Sequence, residues 1–435
     1  MKKNKTVYIG LSADGIHHGH MKLLEKARSF GDVIVGLLTD EAITTYKRLP
    51  YLNYEQRKAV LLNFKGVKKI VPQTIHDYSK NIKRYKPDFM IHGDDWRSGY
   101  MKEFRKNCIK ELKSYGGKLI EIPYTKGVSS AAYINRLNET SITPDIRRST
   151  LKRLIESKNL SRFIETHNPI SAIIAETTYF EKKGKRIGFD GFWSSSLTDS
   201  TALGKPDNES LSNAQRMSSI DQIFDVTTKP LIFDGDTGGQ IDHLDMKIKS
   251  MERLGVSAVI YEDKKGLKQN SLFKNTSNQQ QEDRLVFGRK LNTAKRAQRS
   301  EDFMVIARIE SFILGKGLND ALLRAKTYVD SGADAIMIHS KSNMTKEIFS
   351  FSNKFKKIHP SIPLVCVPST YNQVREKELE NNGFNIVIYA NHMLRAAYPA
   401  MKKVALKILK NSRSKEANKD LQSIKEILEL IPGAK

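Results

Sequence analysis

From about residue 151 onward the chain repeats one unit eight times: a short apolar run that ends abruptly in polar residues, then a segment of helix length. The runs end at "FIETH", "GFWSSS", "LIFDGD", "AVIYED", "VIARIE", "IMIHS", "LVCVPS" and "IVIYAN". Eight strand and helix alternations are the count of a (β/α)8 TIM barrel, whose chemistry gathers at the carboxyl ends of the strands. Asp234 and Asp236, Glu262, Arg308 and Glu310, His339 and Asn391 all fall at such ends. Buried strands often turn polar where they reach water. That alone does not explain three acids, an arginine and a histidine at one face.

The first 137 residues keep a different rhythm. "TVYIGL", "DVIVGLL", "VKKIVP", "DFMIHG" and "KLIEIP" are five strands separated by helical stretches, which predicts a Rossmann-like, doubly wound parallel sheet. The expected fold class is therefore α/β, with a nucleotide-binding domain over 1–137 and a barrel over 151–412. The polar, aperiodic run 138–150 between them reads as a linker, and 413–435 as a charged linker with one amphipathic helix suited to packing or assembly.

Lysine and arginine number 73 against 48 acids, a net charge of +25, which raises nucleic acid as a partner. The basic residues are spread along the whole chain and no nucleic-acid-binding motif accompanies them, so the expectation is a solvated basic surface and no nucleic-acid partner. Two cysteines, Cys108 and Cys366, exclude a disulfide framework and a cysteine-rich zinc site. No apolar window reaches the roughly 18 to 20 residues of a membrane span. A soluble, cytoplasmic protein without a membrane partner is expected.

"ADGIHHGH", residues 13–20, follows the first strand, at the edge where such sheets bind ligands. Helical spacing puts His17 and His20 on one face of a helix entered near His18, with Gly19 admitting a ligand close to the backbone. Spacing alone leaves a phosphate site, a metal site and a structural role open, since a catalytic zinc usually takes three protein ligands and only Asp14 is nearby.

Four stretches in order resemble the cytidylyltransferase family over about residues 5–137: "ADGIHHGH" with Asp14, His17, Gly19 and His20; "YEQRKAVL" with Arg57; "GDDW" with Gly93, Asp94 and Trp96; and "YTKGVSS" with Ser129 and Ser130. The resemblance implies attack by a phosphate or phosphonate oxygen on the α-phosphorus of CTP, with pyrophosphate leaving. His17 and His20 would steady the charge on the α-phosphate, Lys47 would hold acceptor or triphosphate, and Asp14, Gly19, Arg57, Gly93, Asp94, Trp96, Ser129 and Ser130 would bind the nucleotide. Tyr124 and Lys126 depart from the family's arginine and glutamate, and Ala13 from its usual phenylalanine.

In the second half, Asp234, Asp236 and Glu262 at neighbouring strand ends suit magnesium, a hard ion that keeps several waters. The polar stretch "KKGLKQNSLFKNTSNQQQED" after Glu262 can serve as a lid. "GFWSSSL", "LIFDGDTG", "EDKKGLKQNS", "ARIES", "MIHSKS" and "YANHMLRAA" resemble, in order, the phosphoenolpyruvate mutase branch of the isocitrate lyase superfamily over about 151–412. "EDKKGLKQNS" looks like the mutase gating loop and lacks the cysteine of the carbon–carbon lyases.

The resemblance implies transfer of the phosphoryl group of phosphoenolpyruvate from oxygen to carbon, giving phosphonopyruvate. Magnesium would sit on Asp234, with Asp236 and Glu262 acting largely through waters. Trp193, Ser195, Ser196, Leu197, Ser271 and His339 would bind substrate, and Asp207, Lys268, Asn270 and Arg308 would act in catalysis. Ser196 stands where the family usually has glycine. The joined halves resemble fused mutase and cytidylyltransferase enzymes of phosphonate biosynthesis, whose CMP acceptor would be 2-hydroxyethylphosphonate or 2-aminoethylphosphonate. A homo-oligomer is implied by exchange of the last barrel helices. The alternative is a phosphonopyruvate hydrolase barrel with a non-catalytic, nucleotide-sensing first half.

Overall fold

A computed structural model describes residues 5–46, 48–99, 101–123, 142–182, 185–266, 268, 270–271 and 279–431. Lys47, Tyr124, Lys126, Ser129 and Ser130 lie outside the described residues. The chain divides into two compact units, one of residues 1–142 with 179–187, the other of 143–178 with 188–435.

The first unit holds one five-stranded sheet, β1 (Thr6–Leu11), β2 (Asp32–Leu38), β3 (Val67–Gln73), β4 (Phe89–Gly93) and β5 (Lys118–Ile122). All pairings are parallel, in the order β3-β2-β1-β4-β5. The order reverses between β1 and β4, the switch point where ligands bind in open sheets of this kind. Both strands lead there into candidate site residues: the histidine octet follows β1, and Gly93–Asp94 closes β4. Val7, Ile9, Val33, Val35 and Ile91 are fully buried or nearly so on one face of the sheet. Tyr8, Met90, Trp96 and Cys108 pack on the other.

The second unit opens with a helix, Pro144–Ser157, that starts with Thr143 as N-cap and Pro144 in the first turn. Within the run 138–150, expected as a linker, residues 144–150 are helical, because proline in a first turn starts a helix. β6 (Ser161–Glu165) follows; the antiparallel pair next in the chain, β7 (Tyr179–Lys182) and β8 (Lys185–Gly188), is grouped through residue 187 with the first unit. The barrel continues with β9 (Gly191–Ser194), β10 (Leu231–Asp234) and β11 (Ala258–Glu262). After a short antiparallel pair, β12 (Lys264–Lys265) and β13 (Gln280–Gln281), come β14 (Met304–Ile309), β15 (Ala335–Ile338), β16 (Leu364–Cys366) and β17 (Ile386–Tyr389). Eight parallel strands close in the order β10-β11-β14-β15-β16-β17-β6-β9.

The inner core of the barrel contains Phe163, Trp193, Ile232, Ile260, Ile306 and Met337. Residues two apart on a strand share a face, so each inner residue fixes the one that follows at the rim. Ser195 follows Trp193, Asp234 follows Ile232, Glu262 follows Ile260, Arg308 follows Ile306 and His339 follows Met337. The polar residues at the strand ends therefore aim into the mouth because the apolar ones beneath them fill the barrel. The outward alternates, among them Phe233, Val259 and Val305, pack in the layer between strands and helices.

Candidate active sites

In the first unit the turn after β1 takes left-handed backbone at Ala13 (φ 52°) and Gly15 (φ 75°), and the chain then enters the helix His18–Arg28. Alanine's small side chain limits the steric cost of that conformation. His17 is the N-cap, and its Nδ1 accepts the Gly19 N–H at 3.2 Å. His20 Nδ1 accepts the His17 N–H at 3.3 Å, so the two imidazoles form a reciprocal capping box with ring centroids 4.1 Å apart. Burial, with His18 adding to it, lowers the pKa of His17 and favours the neutral ring. With both Nδ1 atoms accepting, neutral rings carry their protons on Nε2, which makes that atom a donor on each ring. A helix N-terminus and two imidazole donors thus stand together, groups that can steady anionic oxygens.

Three of the expected nucleotide contacts lie deeper. Asp14 is 2% exposed and its carboxylate accepts from Arg48 at 2.8 Å and from the Tyr51 N–H at 2.9 Å. Arg57 is fully buried and donates to Ser12 O, Leu52 O and Asp40 Oδ1. Trp96 is also fully buried, its indole N–H on Glu121 Oε1 at 2.8 Å and its ring stacked on His92 at 3.9 Å. Here Arg57 and Asp14 brace the two ends of the turn that carries the histidines. Asp94 opens the short 3-10 helix after Gly93. His92, and a stacked pair of Tyr46 and His76 with centroids 3.9 Å apart, were missed in the sequence, where neither stands in a recognisable pattern.

At the barrel mouth two charged groups stand side by side. In the first, Asp234 Oδ2 accepts from Ser196 Oγ at 2.9 Å and from Ser196 N at 3.3 Å. Asp236 sits in left-handed backbone (φ 52°), a conformation aspartate tolerates better than most residues, and its N–H returns to Asp234 Oδ1. The Lys268 ammonium reaches Asp207 at 2.9 Å, Asp236 and Ser196 Oγ. Asn270 donates to Asp207 at 2.9 Å. The hydroxyl of Ser196 thus links Asp234 to Lys268, a contact glycine could not make. Ser195 is the N-cap of the helix Ser196–Ala202, whose first-turn amides, Leu197 among them, have no helical acceptor.

In the second group Arg308 bonds Glu310 at 2.5 Å, His339 Nδ1 at 3.0 Å and Ser271 Oγ at 2.9 Å, and pairs with Glu262 at 3.2 Å. Lys264 stands 3.2 Å from Glu310. Burial raises Glu262 to about 7 despite Arg308 and Lys264 beside it. Burial also pushes Asp234 upward, but Lys268, Arg308 and Arg216 outweigh it and hold that carboxyl below its ordinary value.

Beneath the first group lies Arg216, 4% exposed, which bonds Asp199 at 3.0 Å, Asp234 O at 2.5 Å and Ser194 O at 3.2 Å. Asp199, Arg216 and Lys264 were missed, and Glu310 was noticed without a role. Arg216 lies inside a helix with nothing in its neighbourhood to mark it. Asp263, at the foot of the stretch after β11, accepts from Tyr328 at 2.7 Å, Gln281 at 2.9 Å and Arg324 at 3.2 Å. That network pins both β12 and β13 to the barrel.

Among the described residues, no three carboxylate, imidazole or thiolate side chains are disposed to enclose a metal ion directly. Of the three acids expected near the ion, Asp236 has Lys268 against it and Glu262 is turned toward Arg308. The site still fits a divalent ion held largely through water. Glu262 Oε1 is buried without a hydrogen-bond partner. Among the described residues the carboxyl groups of Asp199, Asp207, Asp234, Asp236, Glu262 and Glu310 share four lysine and arginine partners, Arg216, Lys264, Lys268 and Arg308, so the acids outnumber the fixed cations. All the donors are hard oxygens, the set that suits magnesium.

A parallel eight-stranded barrel with its charged groups gathered at the carboxyl end defines a TIM-barrel enzyme, joined here to a parallel-sheet unit with a histidine-capped helix start. The chain belongs to the phosphoenolpyruvate phosphomutase family, which it matches over residues 151–409, and residues 8–136 match the cytidylyltransferase-like family. It is 35% identical to a phosphoenolpyruvate phosphomutase of Tetrahymena pyriformis over 65% of this chain and 91% of that protein. It is 34% identical to a phosphonopyruvate hydrolase of Variovorax over 65% of this chain and 94% of that one. The first unit is 34% identical to a glycerol-3-phosphate cytidylyltransferase of Bacillus spizizenii over 27% of this chain and 84% of that enzyme. Among solved structures, a phosphoenolpyruvate phosphomutase from Streptomyces platensis superposes with a TM-score of 0.60 at 33% identity, over 65% of this chain and 94% of that one. A phosphonopyruvate hydrolase solved with oxalate and magnesium gives 0.58 at 32% identity, over 66% and 95%. The two families make this a chain of mutase and nucleotidyltransferase kinds.

Proposed function

We propose that the barrel interconverts phosphoenolpyruvate and phosphonopyruvate with magnesium, and that the first unit transfers CMP from CTP to 2-hydroxyethylphosphonate or 2-aminoethylphosphonate with release of pyrophosphate. The observation that carries the barrel reading is the pairing of an oxygen-lined, cation-deficient cluster with the Arg308–His339 pair, with Lys268 and Asn270 beside it. Magnesium, when bound, supplies the charge that steadies an enolate oxygen, and Asp234 holds it with Asp236 and Glu262 acting through water. Ser195 and the amides at Ser196 and Leu197 bind the substrate carboxylate, with Trp193 beneath them. Arg308, His339, Asn270 and Ser271 hold the phosphoryl group while its bond to oxygen breaks and its bond to carbon forms. Lys268 bridges the acids, with Asp207 as its anchor, and helps keep water from the migrating group.

In the first unit the Nε2 donors of His17 and His20 meet the α-phosphate as the acceptor oxygen attacks. Gly19, Gly93 and Asp94 line the nucleotide, Lys47 serves the acceptor or triphosphate, and Ser129 and Ser130 contact phosphates. Residues 1–137 and 151–412 act as the two catalytic domains of a cytoplasmic enzyme. Among the described residues no helix is long and apolar enough to cross a membrane. The helix His392–Asn411 buries no residue and leaves Met401 63% and Leu409 76% exposed, which supports a homo-oligomer formed through the barrel.

The hydrolase reading rests on similarity of the same strength. It differs only in whether water captures the phosphoryl group. Incubating the protein with CTP, magnesium and each phosphonate in turn tests the first unit: a phosphonate–CMP anhydride with one acceptor supports the reading, and intact CTP with both refutes it.

A further inference from the structure

The barrel carries a second charged cleft, at the end opposite the acid cluster. It encloses about 450 Å3 and is walled by four cations, Arg148, Lys249, Arg253 and Arg299, with Asp145 and Glu252 between them. The helix Leu244–Leu254 ends just before β11, and Arg299 precedes β14, so the cleft lies at the amino ends of these strands.

The acids are already engaged. Glu252, 5% exposed, accepts the Arg299 N–H at 3.0 Å and the Ser300 N–H at 2.9 Å. Asp145 pairs with Arg148, and Lys249 pairs with Asp245 at 2.5 Å. Arg253 and Arg299 make no side-chain hydrogen bond or ion pair with a described residue. Arg148 is 8% exposed, and its buried Nε has no partner. The helix Pro144–Ser157 contributes Asp145 from its first turn and Arg148 from its second to the wall and adds the partial positive charge of a helix start. Three guanidiniums in one wall, two of them without an acidic partner among the described residues, attract an anion into the cleft. Guanidinium forks match phosphoryl oxygens two at a time. The cleft falls within the roughly 300–1,000 Å3 of ligand pockets, more room than one phosphoryl group takes.

We propose that this cleft binds a di- or triphosphate group, at a site separate from the barrel's chemistry. The group bridges Arg253 and Arg299, with Lys249 and the helix start completing its shell. Its source is either free diphosphate or the tail of a nucleoside triphosphate.

The test is arginine labelling by phenylglyoxal on the full-length, metal-free protein, read peptide by peptide by mass spectrometry. Saturating inorganic pyrophosphate is expected to slow labelling of Arg253 and Arg299 roughly tenfold, as paired guanidiniums held by charge-assisted bonds would show. CTP protecting at lower concentration than pyrophosphate assigns the source to a nucleotide, and the reverse assigns it to free diphosphate. Unchanged labelling with both anions, or equal protection by inorganic phosphate, overturns the proposal. Calorimetric titration of Arg253→Ala/Arg299→Ala with pyrophosphate should lose the site the wild type shows, and a binding curve identical to wild type overturns it as well. Both arginines are exposed, and the labelling result on unmodified protein decides even if the double variant melts early.

Discussion

Lys268→Met keeps most of the side chain's bulk and removes one charge from the acid cluster. In the structure the ammonium is shared by Asp207, Asp236 and Ser196, and the residue is 6% exposed. Removing one partner of a buried ion pair costs about 3–5 kcal/mol, because a charge is left uncompensated. Arg216 still faces Asp236 at 3.5 Å, which places the cost near the lower end of that range. At roughly 2–4 °C per kcal/mol for a unit of this size, the metal-free barrel should melt about 6–12 °C below wild type. The same change deepens the shortage of positive charge around Asp234, Asp236 and Glu262. Magnesium should therefore raise the melting temperature more in the variant than in wild type, while mutase turnover falls away. Differential scanning calorimetry in chelator and then in magnesium measures both. A metal-free melting temperature within about 2 °C of wild type would refute the reasoning, since an ammonium buried among acids cannot be that dispensable.

His17→Ala should abolish pyrophosphate release from CTP and leave mutase turnover within about twofold, because the substitution removes one phosphate donor and leaves the barrel's own site residues unchanged; parallel assays of the two reactions check it. Glu121, hydrogen-bonded by Arg105, Arg97 and Trp96, has its carboxyl lowered to about 2. Its contribution to stability is full above the ordinary carboxylate pKa near 4.3, at about 1–2 kcal/mol, and is lost as pH falls toward 2. Denaturant melts of wild type and Glu121→Gln should therefore differ at pH 7 and converge as acid is added. Gly191→Ala would set a β-carbon 2.1 Å from the Phe163 ring and 2.7 Å from Pro230 O, so β9 must shift. Overpacking of about 1–3 kcal/mol is expected in urea unfolding, and an unchanged midpoint would contradict the packing described here.

Both sheets were legible in the sequence because their strands are apolar runs with abrupt polar ends, and the barrel's site followed from the same rule. Asp234, Glu262, Arg308 and His339 each stand two residues beyond an inner core position, so strand alternation alone turns them into the mouth. What alternation cannot supply is depth. Arg57 and Trp96 sit in stretches that resemble nucleotide-binding motifs, yet both are fully buried and act through Ser12, Asp40 and Glu121. A motif fixes where a residue stands along the chain and not which side of a turn its side chain takes. Arg216 and Asp199 were illegible for the opposite reason, because their partners come from other strands and no local pattern marks a helical arginine as buried. The run 138–150 looked irregular because a proline in the first turn of a helix and a proline in a loop are the same letter.

The central claim is that the barrel moves a phosphoryl group between oxygen and carbon without losing it to water. Phosphorus NMR of the full chain with magnesium and phosphonopyruvate tests this directly. The account predicts conversion of the phosphonate signal into that of phosphoenolpyruvate, with little inorganic phosphate. Accumulation of inorganic phosphate in step with pyruvate, and no phosphoenolpyruvate, would contradict it.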